Sequence, residues 1–460
     1  MSPALASCLT ILFIFWLFYR NAKSGVRTST ALWLPTIWLI THASRPLACW
    51  LEGGADTDQT GSIADGSPID RSALLILIIS AIVVLMRRGI NWGEAIRSNR
   101  WLSVFFLYLL ISVIWSDSPF VAFKRWFREF GNLLMILLII TEEDPVEAVR
   151  QVFVRCAYVL IPVSVLLVKY YLYLGRYYDT WTGRPFLCGV ATDKNALGRL
   201  AMVSGLFILW NLIVNLKLKG REWKVLLPDV SILAMCLWVL HVADSQTSRG
   251  CFAVGLAVLF TTRIGWLYNH PRRLAWCGST VIILSFFFFY FPDLRQIITT
   301  SMGRQVNLTD RTDVWAAVIA VGTDPIIGTG FASFWLTPEG LSVSNNLGVT
   351  EAHNGFLETY LNSGMIGVTL LLAVLLVAGR NVVMQFAARN PNASLFAALF
   401  IACLVYNYTE ADFNTGGVVG FALWLVALQP APIGDVAVTD QANNPDESDP
   451  KGHAVVFGSS

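Results

Sequence analysis

Apolar residues run in continuous blocks along this chain, and polar residues gather between them. The blocks lie near 4–19, 30–50, 72–87, 101–116, 129–141, 153–173, 195–215, 225–243, 251–268, 274–292, 364–380, 393–408 and 414–429. Continuous apolar runs of this kind read as helices that cross a hydrocarbon core, which takes roughly 20 residues per span. An open sheet would leave its edge groups unbonded in lipid, and a closed barrel would show short alternating segments instead. The pattern therefore predicts an all-α polytopic integral membrane protein with about 12–13 transmembrane helices. The run at 30–50 is the weaker one, because it carries His42 and Arg45. The first run lacks a preceding basic stretch and a small-residue cleavage site, so it reads as a retained helix and not a signal peptide.

Composition agrees with this pattern. Of 460 residues, 55% are hydrophobic and 14% charged, far too apolar for a soluble domain of this size. The net charge of +2 says little about partners, and no nucleic-acid partner is expected. The eight cysteines form no CxxC pair and lie mostly in or beside apolar runs, so they read as small hydrophobes. No internal repeat is visible.

Basic residues orient the chain. Arg20, Lys23 and Arg27 follow the first run, and Arg87, Arg88, Arg97 and Arg100 follow the third. Lys217, Lys219, Arg221 and Lys224 follow the seventh, Arg263, Arg272 and Arg273 the ninth, and Arg380 and Arg389 the eleventh. These alternate connections are expected in the cytoplasm. The opposite side receives loop 52–71, loop 174–194, the turn "DSQTSRG" and the long loop 293–363. Four parts follow: an N-terminal transmembrane bundle (1–292), a large outward loop with short helices and catalytic elements (293–363), C-terminal transmembrane helices (364–430) and a disordered cytoplasmic tail (431–460).

The outward side is unusual in holding cations. Lys194 and Asn195 sit at the mouth of one run and Arg249 at the mouth of another. Arg304 and Arg311 stand in the long loop, followed by His353 and Asn354. Lys124, Arg125 and Arg128, interleaved with Trp126, Phe127 and Phe130, read either as an interfacial amphipathic helix or as a ledge for the phosphates of a lipid-linked substrate. Cations held opposite the usual positive side suggest an anionic ligand, and guanidinium matches phosphate in a bidentate way. A sugar carried as a lipid diphosphate has an anionic leaving group that cations can stabilise. Its acceptor hydroxyl needs a base near neutral pH, and histidine titrates there. Arginines and one histidine thus suffice for glycosyl transfer with no metal or cofactor. The Asp56/Asp58 pair is more often a solvated loop than a cation site.

Each of these residues also has a plain reading. His353 is a helix-entry residue and Asn354 its cap, with Phe356, Leu357, Tyr360 and Leu361 as the apolar face of a loop helix. Arg249 and Lys194 are snorkelling helix-end residues. His241 and Asp244 are either a proton relay or a capped turn. Arg311 stacks on Trp315, one turn on. The sequons at Asn307, Asn392 and Asn407 are common by chance.

The strings "DKNALGR", "SQTSRG", "GRQVNLTDRTDVW", "DPIIGTGFASFW" and "HNGFLETYLNSGMIG", in this order, carry a resemblance over roughly residues 100 to 430. The chain resembles the bacterial O-antigen ligase and polymerase superfamily and, within it, exopolysaccharide polymerases of the succinoglycan-production type. The resemblance implies the bacterial inner membrane and an active site facing the periplasm. It implies an undecaprenyl-diphosphate-linked oligosaccharide as donor, a growing polysaccharide as acceptor, and metal-independent transfer with inversion at the anomeric carbon. Membrane lipids, a chain-length regulator and export proteins are the further partners implied. By motif, the family's essential loop histidine and arginines map to His353, Arg249 and Arg311, and next to Arg304. Ala253 stands where the ligase pattern has leucine, Asp310 where glycine is usual, and Asp193 where histidine is common. These departures count against a pure ligase. Attachment of glycan to lipid A core or to protein stays open as an alternative. A lipid-linked sugar transporter, with ionisable groups near the bilayer midplane, and a structural assembly partner are the rivals of other classes.

Overall fold

A computed structural model describes residues 1–23, 28–51, 67–178, 183, 185–216, 223–290, 309–413 and 416–428. Asp56, Asp58, Arg304, Asn307 and the tail 431–460 lie outside the described residues. Each of the thirteen apolar runs is helical: α1 (Pro3–Ala22), α2 (Trp33–Ala43), α3 (Pro68–Arg87), α4 (Arg100–Ser112), α5 (Pro119–Ile140), α6 (Pro145–Tyr170), α7 (Lys194–Leu216), α8 (Trp223–Val242), α9 (Gln246–Thr261), α10 (Pro271–Tyr290), then, after two loop helices, α13 (Gly355–Ala387), α14 (Ala393–Tyr406) and α15 (Val418–Ala427). The loop helices are α11 (Thr309–Ala320) and α12 (Pro338–Leu347).

Among the described residues, five helices (α1, α3, α6, α7 and α13) are long and apolar enough to cross a membrane. A sixth joins if Trp92–Ser98 and Arg100–Trp115, bent by 95°, form one span. The other helices fall short of the sequence expectation for physical reasons. Residues Lys124, Arg125, Arg128 and Glu129 load the first half of α5 with charge. The 14 residues of α14 reach only about 21 Å, less than a hydrocarbon core of roughly 30 Å. The run at 30–50 breaks at Ser44, where Arg45 turns away to donate to the carbonyls of Ala191 (3.1 Å) and Gly189 (3.2 Å). The protein is nonetheless an all-α polytopic membrane protein. Its β-structure, among the described residues, is one hairpin, Arg176–Tyr178 paired antiparallel with Pro185–Leu187.

Helices α6 and α7 are the most enclosed of the long spans, whereas α1 and α3 expose most of their surface. An inside helix must be apolar all round, and a lipid-facing one has no reason to be polar. Helix α7 packs on α8 and α9, α9 on α14, and α14 on α15. Trp210, Phe207, Phe421 and Trp424 fill the centre.

The bundle has two polar ends, and the segments sorted by charge in the sequence meet accordingly. At the basic end, Arg88 pairs with Glu142 and donates to Thr141 Oγ1 (2.7 Å), while Asn21 bonds Gln151 (2.6 Å). There too, Arg150 donates to Asn211 (2.6 Å), and Asn211 and Asn215 donate to the buried Asp229. Asp229 stands in the second turn of α8, near a helix end and not at its middle.

At the other end sits the 309–363 loop, with a small core of its own from Val314, Val318, Phe334, Val343, Ala352 and Leu361. Two sequence motifs dock here. Thr329 N donates to Leu361 O (3.0 Å) and Met365 N to Pro325 O (2.9 Å). The Asn362 amide oxygen accepts from Ser333 N (2.7 Å) and Phe334 N (3.0 Å). Half-buried Glu358 accepts from Trp335 Nε1 (3.0 Å) and Ala352 N (3.0 Å). The strings "DPIIGTGFASFW" and "HNGFLETYLNSGMIG" are therefore the two halves of one joint. Helix α13 breaks at Gly364 (φ 59, ψ −166), the position at which the loop helix was expected to give way to a span.

Candidate active site

The site is built around the connection between α14 and α15. Asn407 caps the end of α14: its side chain donates to Cys403 O (2.9 Å) and accepts from Asp412 N (2.8 Å). Its carbonyl accepts from Gly355 N (2.8 Å), at the first residue of α13. Gly355 is needed at this crossing, since a Cβ there would collide with Asn407 Oδ1 and Phe413. Phe356 then stacks on Tyr408 (5.7 Å) and meets Phe413 edge-on (5.1 Å). The α13 entry and the α14 exit are thus locked together.

This lock brings Glu410 under the loop. Glu410 Oε1 accepts from Arg311 Nη2 of α11 at 2.7 Å. Glu410 Oε2 lies 3.4 Å from His353 Nδ1, and Glu351 Oε1 lies 2.8 Å from the same nitrogen. One side chain from α11, one from the loop and one from the α14–α15 connection therefore form a single unit. Two residues further, Asp412 pairs with Arg199 of α7 (3.4 Å), with Asp412 fully buried. Thr409 Oγ1 meets Thr247 Oγ1 of the "SQTSRG" turn (3.2 Å). Gly416 lies against Arg128, Glu129 and His42, close enough that a Cβ would press on all three.

Electrostatics follow from this packing. Burial disfavours charge on the His353 imidazole, but the hydrogen bonds and charges of Glu351 and Glu410 outweigh it and raise its pKa from 6.5 to about 10. Burial likewise disfavours the Glu410 carboxylate, yet His353, Arg311 and Arg199 hold it below the usual carboxylate range. The unit rests as imidazolium and carboxylate at neutral pH. His353 also takes a left-handed backbone (φ 47), uncommon for a residue with a side chain and typical of constrained functional positions. Asp244 (φ 51) and Ala332 (φ 50), both at this end, share it.

The donor atoms of Glu351, His353 and Glu410 lie within 4.8 Å of one another, so these three could hold a metal ion. The donor set is a poor fit for one. Glu410 is committed to Arg311, and a metal would have to displace the His353 proton.

Other expected site residues are placed differently. Arg249 Nη2 donates to Asp244 Oδ1 (2.9 Å) and His241 O (2.7 Å), which makes a capped turn of α8–α9 and not a relay. Its neighbour Thr247 reaches the centre, but Arg249 itself is held on the turn. Lys194 lies over the Phe186 ring (4.0 Å) of the hairpin. Asn354 is the N-cap of α13 and accepts from Phe356 N (3.0 Å) and Leu357 N (3.1 Å). Lys124 lies over Phe120 (4.9 Å), and Arg125 donates to Ala332 O. Arg311 turns to Glu410, while Trp315 donates to Ala352 O (2.9 Å). Asn407 and Asn392 are buried, so their sequons are structural.

Sequence reasoning missed Glu410, Asp412, Arg199 and Glu351. Glu410 and Asp412 lie in the short gap between two apolar runs, where "YTEAD" puts two carboxylates at a helix exit. Arg199 belonged to a quoted motif in which Lys194 took the attention.

The family model described as O-Antigen ligase matches residues 231–372. That stretch contains Arg249, Arg311 and His353. The chain is also 24% identical over 373 residues to the exopolysaccharide production protein ExoQ of Rhizobium meliloti (strain 1021), covering 73% of this chain and 82% of that protein. The chain is thus a multi-pass helical membrane protein that resembles the O-antigen ligase and polymerase superfamily, with its likeness on the exopolysaccharide-production side.

Proposed function

We propose that the chain is a glycosyltransferase that moves an oligosaccharide from a lipid-linked diphosphate, of the undecaprenyl kind, onto a growing polysaccharide at the periplasmic face of the bacterial inner membrane. The observation that carries this reading is the single unit of Arg311, Glu410 and His353, drawn from three separate stretches of chain. The acceptor oxygen attacks the anomeric carbon and the bond from that carbon to the phosphate oxygen breaks. The electron pair leaves on the diphosphate, and the hydroxyl proton goes to His353. With Nδ1 engaged by carboxylates, Nε2 is the ring nitrogen for that proton. Arg311 is the first cation for the departing diphosphate, with Arg249 on the adjoining turn. Arg304, Lys194 and the Lys124, Arg125 and Arg128 side of α5 are wider contacts for phosphate. The reaction asks for no metal.

Two carboxylates on His353 make it a strong base that is rarely free of its proton at neutral pH. Brønsted behaviour favours such a base for a weakly acidic hydroxyl, at the expense of its population. Polymer growth is preferred over attachment to lipid A core or protein because ExoQ is an exopolysaccharide production protein. Transport of the lipid-linked sugar is disfavoured because the charge pairs described here gather at the two ends of the bundle.

The test is reconstitution of the purified protein with lipid-linked repeat units and a chelator, reading glycan length. Lengthening that is lost in His353→Ala supports the reading. Transfer only after lipid A core or a protein is added makes it a ligase. Lipid translocation without any transfer overturns it.

A further inference from the structure

We propose that Glu410 is a positioning residue of this site: its two oxygens fix the spacing between the Arg311 guanidinium and the His353 imidazole and make the two groups act as one. The catalytic meaning of this inference rests on the transfer reading above, while the coupling itself rests on geometry alone.

The geometry is specific. Each Glu410 oxygen serves a different partner, Oε1 the guanidinium at 2.7 Å and Oε2 the imidazole at 3.4 Å. The carboxylate is almost fully buried. A buried carboxylate without partners is costly, so it holds both of them in place. The backbone that carries it is fixed on three sides, by Asn407 to Gly355, by Thr409 to Thr247 and by Asp412 to Arg199. A short connection between two helices thereby ties α7, α9, α11 and α13 to one point. Trp315, one turn on from Arg311, also ties α11 to the histidine loop through Ala352 O, but the residue shared by the ion pairs of Arg311 and His353 is Glu410.

The charged groups around His353 are few. Glu351 comes from its own loop and Glu410 from the α14–α15 connection. Behind them stand Arg311 of α11 and Arg199 of α7, both acting on Glu410. Glu358, at the start of α13, is turned to Trp335 and Ala352. Removing the Glu410 charge therefore leaves Glu351 as the one carboxylate on the ring, with Arg311 released beside it. Both changes disfavour the imidazolium.

The experiment follows the His353 titration by NMR in the full chain, labelled at histidine and held in a lipid nanodisc. The chain has five histidines, and His353→Ala identifies the signal. In Glu410→Gln the His353 midpoint should fall by about one pH unit or more, a tenfold loss of proton affinity. Asp412→Asn disturbs the same connection and should leave that midpoint within a few tenths of a unit. An unmoved midpoint in Glu410→Gln, or an equal shift in Asp412→Asn, overturns the proposal. If Glu410→Gln does not fold, Arg311→Gln reads the same coupling with the opposite sign, and a midpoint that fails to rise overturns it. No donor lipid is present in these titrations, so they stand apart from the transfer reading. That reading is tested in turn by the rates: Glu410→Gln and Arg311→Gln should together cost less than the product of their separate losses.

Discussion

Glu410 Oε2 lies 3.4 Å from His353 Nδ1 across 57 residues of sequence. The contact joins a helix exit to a loop, and it changes what the histidine can do. An isolated imidazole would be mostly neutral at neutral pH. This one is held as imidazolium by two carboxylates.

The first consequence is a steep pH dependence of transfer. If His353 takes the acceptor proton, only its neutral form works. That fraction grows tenfold per pH unit until the pH reaches about 10. Initial rates of polymer formation should therefore climb from about pH 6 to about pH 10. A histidine acting only as a cation on the diphosphate gives the reverse, a rate that falls over the same range. Rates measured across the range decide between the two roles.

Stability should respond to the same unit in the other direction. The His353 pKa is raised on folding, so its contribution is complete below its ordinary value of 6.5 and disappears as the pH rises through about 10. Glu410 is held low, so its contribution is complete above the ordinary value of 4.5 and disappears as the pH falls through its lowered value. Thermal unfolding should be most favourable to the fold between about pH 4.5 and 6.5 as far as this unit is concerned. The alkaline decline should be shallower in His353→Ala.

Arg199→Ala should be a damaging single change at this end of the bundle. It leaves Asp412 buried and without its guanidinium. Breaking such a pair by removing one partner costs roughly 3–5 kcal/mol. Thermal unfolding in detergent should show a clear drop, whereas Lys194→Ala, which removes a cation from over a ring, should cost about 1 kcal/mol or less. Equal effects of the two would mean the Arg199–Asp412 pair does little.

These contrasts show where the sequence could be read and where it could not. All thirteen runs are helices because a long apolar stretch has few other states open to it in lipid. Opposed ends could be read from arginine and lysine, which sort by side. The apolar run that starts at residue 364 marks a junction, and α13 breaks at Gly364. Pairings across the bundle had no local signature. Arg311 meets Glu410 over 99 residues, and nothing near either residue names the other. Arg249 was read together with His353 because both are outward and polar, but sharing a side does not imply contact, and Arg249 turned to Asp244. Arg199 stood in the quoted string "DKNALGR" without a role of its own, and only packing revealed its carboxylate.

Asn354 separates a cap from a substrate contact. Its side chain accepts from the amides of Phe356 and Leu357. Asn354→Ala should destabilise by about 1 kcal/mol, while Asn354→Asp or Asn354→Ser should retain most of the cap. If the cap is its whole role, transfer should follow stability through the three variants. Lost transfer in a stable Asn354→Ser would show that the amide also contacts substrate.

Gly364 offers the last and most local prediction. Its backbone (φ 59, ψ −166) lies in a region that is essentially reserved for glycine. An added Cβ would also collide with the Ile326 carbonyl, against which the bend is packed. The substitution Gly364→Ala therefore incurs about 1–3 kcal/mol of backbone strain and forces the joint with 325–329 apart. That joint holds Asn362 and Glu358 in reach of Ser333, Trp335 and Ala352, and Ala352 precedes His353. Straightening α13 should thus lower transfer through the histidine loop while the helix itself persists. The expected result is unchanged helical circular dichroism with a lower unfolding temperature, faster proteolysis of the 321–354 segment and a slower rate. Gly367 provides the comparison: there, a Cβ would meet chiefly the Ser363 side chain of its own helix, so Gly367→Ala should disturb the packing and spare the joint. Matching proteolysis of the two variants would show that the break at Gly364 does not support the site.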